Sequence, residues 1–413
     1  MRRIIASLDV GSNSLKLVVG EIYKKNVNII AAVDVPSRGI KKGYVINPES
    51  AIESLKELFD KANHIVGLDI KKVIVNVPAF NIDCFMEEGQ ISITSEDRVI
   101  TQKDIIKCMN ASIKNTIAPN LQLVTIIPAI FTVNDIKTKN PLNMISDKLA
   151  GKFVLVTVPK KNISGIGYCL QKINVEIVDV AVEPLGDFYE FKEDNYTKEV
   201  GTIINIGDST TTVSIFNKGV LTACEVLEVG GNNIENDLAY VYKLTRTDAK
   251  RVKEKLALAH DRMAQPNEYL ILTDKLGEEI KVNQYNASEI VKSRIEEILN
   301  LTKKQINLLT KKEISYIIFT GGLTEIKDFD QVLEEVYGPT AIVKNVTEIG
   351  VRDNKYSVAV GNIKYYNHRL ILKNKDFSIF NEDEEEELSG LTKKANISDN
   401  SLLGKLFGYF FDN

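Results

Sequence analysis

The chain has 413 residues, enough for two or three domains. It is 44% hydrophobic and 26% charged, as in folded globular proteins, which argues against a disordered polyelectrolyte. Lys plus Arg number 52 and Asp plus Glu 56, a formal net charge of −4, so nothing draws the chain to nucleic acid.

Four cysteines (84, 108, 169, 224) and three histidines (64, 260, 368) are scattered, with no zinc-knuckle or redox-pair spacing. The basic start Met1-Arg2-Arg3 leads into an apolar run that Asp9 interrupts, so it does not read as a signal peptide. No apolar stretch approaches the ~20 residues of a membrane span. A cytoplasmic location is expected.

In chain order, Ile4–Val10 reads as an apolar strand, Gly11–Ser14 as a turn, Leu15–Glu21 and Asn28–Val35 as further strands. Ser50–Ala62 carries Ile52, Leu55, Leu58 and Phe59 at helical spacing, and Lys72–Val77 is a strand closed by Pro78. Residues 84–160 read as an inserted αβ unit, with a helix over Lys103–Ile117 and strands near 121–131 and 153–158. Gly201–Phe216 repeats the opening strand-turn-strand, which points to two related halves. Residues 233–312 read as mostly helical, with Asn286 as a cap of a long helix, and Ile314–Thr320 as a strand running into Gly321-Gly322. The acidic run 382–387 and the polar stretch after it read as a disordered linker.

The first turn, Leu8-Asp9-Val10-Gly11-Ser12-Asn13-Ser14-Leu15-Lys16, is built of small residues whose N–H groups can close around an anion. Asp9 suits a Mg²⁺ ion held through water, and Lys16 suits a β- or γ-phosphate. A plain hairpin with a polar turn explains the same residues. The second turn offers Asn205, Gly207, Asp208, Ser209 and Thr210 in the same form. The third segment, Thr320-Gly321-Gly322-Leu323, leaves bare backbone for a base or ribose, although a loop needing positive φ accounts for it equally.

Two such loops followed by strand-Gly-Gly resemble the order of the actin-like ATPase superfamily over about residues 1–370, which implies ATP in a cleft between two lobes. Within it the chain resembles the FtsA family. The carrying segments are Asp9-Val10-Gly11-Ser12 with Val19-Gly20-Glu21, Val182-Glu183-Pro184-Leu185, Gly230-Gly231-Asn232 with Asp237-Leu238-Ala239, Thr247–Lys253, and the inserted unit with Val133-Asn134-Asp135 and Pro141–Met144.

That resemblance implies an α/β, two-lobed actin-like fold. Subdomain 1A would take 1–83 and 161–198, with subdomain 1C inserted at 84–160. Subdomain 2A would take 199–232, helical 2B 233–312, and 313–372 would complete 2A and return to 1A. A linker (373–400) and a targeting helix (401–413) would follow. Gly230, Gly231 and Lys253 would lie near the nucleotide, and Glu183 near the attacking water. A buried hydrogen-bonded carboxylate at a domain junction is the other reading of Glu183.

The chain departs from the family where Asn205, Asp208 and Ser209 replace an aspartate and two glycines, and where Leu323 replaces a small residue. ATP binding with slow hydrolysis is therefore expected.

In the last thirteen residues, Leu402, Leu403, Leu406, Phe407, Phe410 and Phe411 share one face of a helix capped by Ser401. Such a helix is too short to span a bilayer and suits the lipid interface, although docking on its own domain is the alternative. The resemblance further implies tethering of FtsZ at the cytoplasmic side of the membrane at the division site, with the FtsZ C-terminal tail bound near Arg294, and self-association into filaments. Arg294 on a solvated helix face is the plainer reading. A PilM-like pilus-assembly ATPase and a small-molecule kinase of the same fold are the competing functions.

Overall fold

The computed structural model describes residues 3–23, 26–113 and 117–395. The expected apolar face at 402–411 lies outside the described residues.

Three antiparallel strands open the chain, β1 (Arg3–Val10), β2 (Ser14–Tyr23) and β3 (Asn26–Pro36). A small ribbon, β4 (Ile40–Lys41) and β5 (Tyr44–Val45), leads to helix α1 (Pro48–Val66) and strand β6 (Lys72–Val77). Asn47 caps α1 by accepting from the Ser50 N–H at 3.1 Å, and Gly67 closes it with φ 82°. From β1, Ile4 to Val10 are all buried, the continuous apolar run of a central strand.

The inserted unit comprises β7 (Asp83–Ser92), α2 (Gln102–Asn110), β8 (Leu121–Val133), β9 (Ile136–Thr138) and β10 (Lys148–Pro159). Its sheet runs β7-β10-β8-β9 and has its own core around Ile100, Cys108, Phe131 and Phe153. The helix expected to reach 117 ends at Asn110, because the Thr101 capping box starts it and its apolar spacing stops after Cys108.

Helix α3 (Lys161–Lys172), strand β11 (Glu176–Val182) and helix α4 (Glu183–Phe191) return to the first lobe. The first sheet is then ordered β11-β6-β1-β2-β3.

The second lobe repeats this plan. Strands β12 (Val200–Ile206), β13 (Thr211–Asn217) and β14 (Val220–Leu227) are antiparallel. Helices α5 (Gly231–Val241) and α6 (Arg246–Lys255) follow. The stretch expected to be mostly helical also holds a hairpin, β15 (Tyr269–Thr273) and β16 (Glu279–Asn283), before helix α7 (Gln284–Leu309). Asn283, not Asn286, caps α7, accepting from the Asn286 N–H at 2.8 Å. Strand β17 (Tyr316–Thr320), helix α8 (Phe329–Tyr337) and strand β18 (Ala341–Val343) complete a sheet ordered β14-β13-β12-β17-β18. In both sheets the first strand pairs antiparallel on one side and parallel on the other.

Helix α9 (Ser357–Lys373) then crosses back to the first lobe, and α10 (Glu382–Ala395) follows. The acidic run is therefore helical, not a disordered linker. Asn381 and Glu384 exchange backbone bonds of 2.9 Å as a capping box, and carboxylates in a first turn suit the helix dipole. Ile379, Phe380 and Leu388 are buried in the first-lobe core.

Helices α4 and α9 cross with their backbones in contact. A Cβ on Gly361 would stand 1.9 Å from the Gly186 carbonyl oxygen, and one on Gly186 2.8 Å from the Val358 oxygen. Gly361→Ala must push the helices apart and should lower Tm by several degrees or more. Gly167→Ala on α3 meets nothing closer than 3.8 Å and should raise stability by up to about 1 kcal/mol. Thermal melts of both variants check the pair.

Candidate functional site: a cleft between the two sheets

The β1–β2 turn and the β12–β13 turn face a common cleft of about 800 Å³. The volume falls in the range of small-molecule sites. In the first turn, a Cβ at Gly11 would lie 2.6 Å from the Ser14 carbonyl oxygen, so only glycine fits. Ser37 pins this turn, with its hydroxyl donating to the Gly11 oxygen (2.6 Å) and its N–H to the Asn13 oxygen (3.1 Å). Asp9 and Lys16 sit opposite each other on β1 and β2 and form a buried ion pair of 2.8 Å. The other Asp9 oxygen accepts from Asn76 Nδ2 at 3.2 Å. Asn76 lies near the end of β6, paired with Asp9 of β1 in the register, and its Oδ1 has no partner among the described residues.

The second turn is tied to helix α5 beneath it. The N–H groups of Gly231 and Asn232 donate to the Gly207 and Asp208 oxygens at 3.0 and 2.7 Å. Gly230 does not line the cleft. It packs under the turn, where a Cβ would meet the Gly207 and Asp208 oxygens at 2.6 Å. Asp208 accepts from the Ser209 hydroxyl at 2.9 Å, and Asn232 donates to that hydroxyl at 3.0 Å.

Gly321, with φ 97°, brings its backbone against Asn205 and Ile206 at the end of β17. Leu323 is buried and, with Gly322 and Lys253, lines the same cleft. Lys253 forms a buried ion pair with Glu235 at 2.5 Å.

Carboxyl groups crowd the cleft floor. Glu183 opens α4 and keeps partial access to the cleft. Burial first, then the nearby Asp187 carboxyl, push its pKa up, to about 8. Burial also raises Asp187, to about 7, against hydrogen bonds from Asn205 Nδ2 (2.8 Å) and Ser357 (2.7 Å). Asn205 is thus an amide donor to a buried carboxyl, a task an aspartate there could not perform while ionised.

The structure therefore brings together Asp9, Gly11, Ser12, Asn13, Ser14, Lys16, Glu183, Asn205, Gly207, Asp208, Ser209, Thr210, Gly231, Lys253, Gly321, Gly322 and Leu323 around one cleft. Arg294 lies elsewhere, on α7, donating from Nε and Nη2 to Asp237 at 2.6 and 2.8 Å and pairing with Glu297. It is a part-buried fork rather than a freely solvated side chain. Sequence reasoning missed Asn76, Asp187 and Thr212. Asn76 left a signal, a lone polar residue near the end of an apolar strand. Among the described residues no His/Cys/Asp/Glu cluster fit for a metal occurs, and no helix is long and apolar enough to cross a membrane.

Two sheets of one topology with glycine turns facing a shared cleft define the actin-like ATPase fold. Solved structures agree on the fold. One is from the PilM-PilN type IV pilus biogenesis complex (TM-score 0.59, 14% identity, 86% of this chain and 96% of that one). Another is MreB5 of Spiroplasma citri bound to ADP (TM-score 0.54, 14% identity, 90% and 98%).

The family described as cell division protein FtsA matches residues 202–361, and the SHS2 domain inserted in FtsA matches residues 80–157. The cell division protein FtsA of Bacillus subtilis is 27% identical over 368 residues, covering 88% of this chain and 83% of the relative. That of Borreliella burgdorferi is 26% identical over 378 residues, covering 88% and 91%. The chain belongs to the FtsA family of cell-division proteins.

The raised Glu183 gives a pH signature. Unfolding frees this carboxyl to ionise at its ordinary value near 4, whereas the folded state holds its proton to about 8. Between those values the folded state binds more protons, so its contribution falls as pH rises. Glu183→Gln should match the wild type in Tm near pH 4.5 and exceed it by about 2–4 °C at pH 8.5, measured by scanning calorimetry.

Proposed function

We propose that the chain is a nucleotide-dependent scaffold of bacterial cell division. It binds ATP with Mg²⁺ in the cleft, self-associates into filaments, and tethers FtsZ to the cytoplasmic side of the membrane at the division site. The observation that carries the nucleotide part is the pair of glycine turns facing one cleft from two sheets of the same topology.

The residues fit the group. Gly11–Ser14 and Gly207–Thr210 offer bare backbone and hydroxyls for phosphates, with Lys16 beside the first turn. Asp9 and the unpartnered Asn76 Oδ1 suit the water shell of Mg²⁺, which keeps several waters and needs no protein cage. Gly321–Leu323 and Lys253 suit the nucleoside. Bound Mg²⁺ would supply positive charge against the phosphates. Among the described residues seven lysines and seven acidic side chains line the cleft, so with Glu183 protonated the protein alone supplies only a small positive excess for a polyanion.

Hydrolysis is slow in this reading. Asn205 is an amide already committed to Asp187, and Glu183 holds its proton at neutral pH and so is a poor base. For the FtsZ tail, Arg294 offers a guanidinium already oriented toward a planar carboxylate, which an acidic peptide would have to replace.

Titration calorimetry tests the cleft. ATP should bind the wild type with Mg²⁺, at least tenfold more weakly with EDTA, and not at all to Gly11→Val. Unchanged binding by Gly11→Val would remove the assignment.

Liposome co-sedimentation with ATP tests the tether. The full chain should pellet with lipid and a chain ending at Asn400 should not. If neither pellets, the membrane reading fails and a pilus-type assembly role moves ahead. If both pellet, lipid contact lies outside the last thirteen residues.

A further inference from the structure

The ribbon of β4 and β5 ends in a two-residue turn whose central residues, Lys42 and Gly43, both have positive φ (52° and 75°). Glycine and asparagine favour such positions, and a lysine there is strained. Gly43 is wedged against the first lobe, since a Cβ would lie 2.5 Å from the Pro78 ring and 3.4 Å from the Val10 oxygen. The turn therefore fixes Lys42 at the cleft wall beside the first glycine turn. From there Lys42 Nζ reaches the second lobe and pairs with Glu228 Oε2 at 2.6 Å. Glu228 adjoins Val229, whose carbonyl accepts from the Thr211 hydroxyl at 2.8 Å, at the base of the second glycine turn. Each end of the pair is thus braced against the strands that carry one of the two turns. A second contact runs the same way, from Lys250 on α6 to Asn13 Oδ1 of the first turn at 3.2 Å.

We propose that Lys42 and Glu228 form a latch across the cleft that sets how fast a bound nucleotide leaves. This deepens the nucleotide reading above and rests on it. Parting the lobes requires the pair to break. Glu228 is 62% exposed, so the pair holds weakly and its effect is a modest kinetic one. Neither residue is among those assigned to the nucleotide, so the latch acts on escape rather than on contact.

Stopped-flow release of a fluorescent ATP analogue with Mg²⁺ from the full chain tests this. Lys42→Glu and Glu228→Lys should each raise koff about two- to fivefold, and the double reversal should return it to within about twofold of the wild type. Salt at 0.5 M should raise koff of the wild type by a larger factor than that of Lys42→Gly. Lys42→Gly also removes the strained lysine, so it should release faster than the wild type at low salt without losing Tm, separating the latch from damage to the turn. Single reversals with unchanged koff, or a double reversal as fast as the singles, would overturn the latch. A wild type that binds no nucleotide would remove the cleft assignment itself and the latch with it.

Discussion

Everything at the cleft depends on the backbone contact between α4 and α9. Each helix follows the last strand of its sheet, β11 in one lobe and β18 in the other. Where they cross, Gly186 and Gly361 leave no room for a methyl group. One residue past Gly186, Asp187 accepts from Asn205 of the second lobe and Ser357 of α9, so the crossing is fixed by hydrogen bonds as well as by sterics. Two sheets pivoting on such a contact present their first turns to each other across a short gap. Larger residues at the crossing would separate those turns and open the cleft, whatever the turns themselves contained. The crossing thus shapes the cleft although neither glycine lines it.

Much of this was legible in the sequence because strands and glycine turns are local features. The apolar runs at 4–10 and 72–77 needed no partner to be read, and a glycine followed by hydroxyl residues marks a tight turn. The repeat of the opening pattern near 201–216 pointed to two halves, and the matched sheet orders show them. What escaped was decided by packing. The acidic run at 382–387 reads as self-repelling in isolation, but Asn381 caps it, and Ile379, Phe380 and Leu388 anchor the segment on the first lobe. The hairpin at 269–283 is short and half polar, so its alternation is weak beside the long helix that follows it. Asp187 gave no sign at all. A carboxylate one turn into a helix is ordinary in sequence, and only the meeting of α4, α9 and β12 makes it a buried hub.

The repeated plan also shows what the two halves no longer share. By strand register, Asp9 corresponds to Asn205, Lys16 to Thr212 and Asn76 to Thr320. The first half therefore keeps a buried ion pair where the second has only neutral groups. Electrostatics gives a reason. The floor already holds Glu183 and Asp187, both pushed toward their protonated forms by burial, and Asp9 raises both further. A second ionised aspartate at 205 would face Asp187 across a hydrogen-bond distance, with no lysine opposite it to compensate. An asparagine removes that charge and supplies the donor Asp187 lacks. The asparagine thus stabilises the junction between the lobes at the one position where an ionised carboxylate would oppose Asp187.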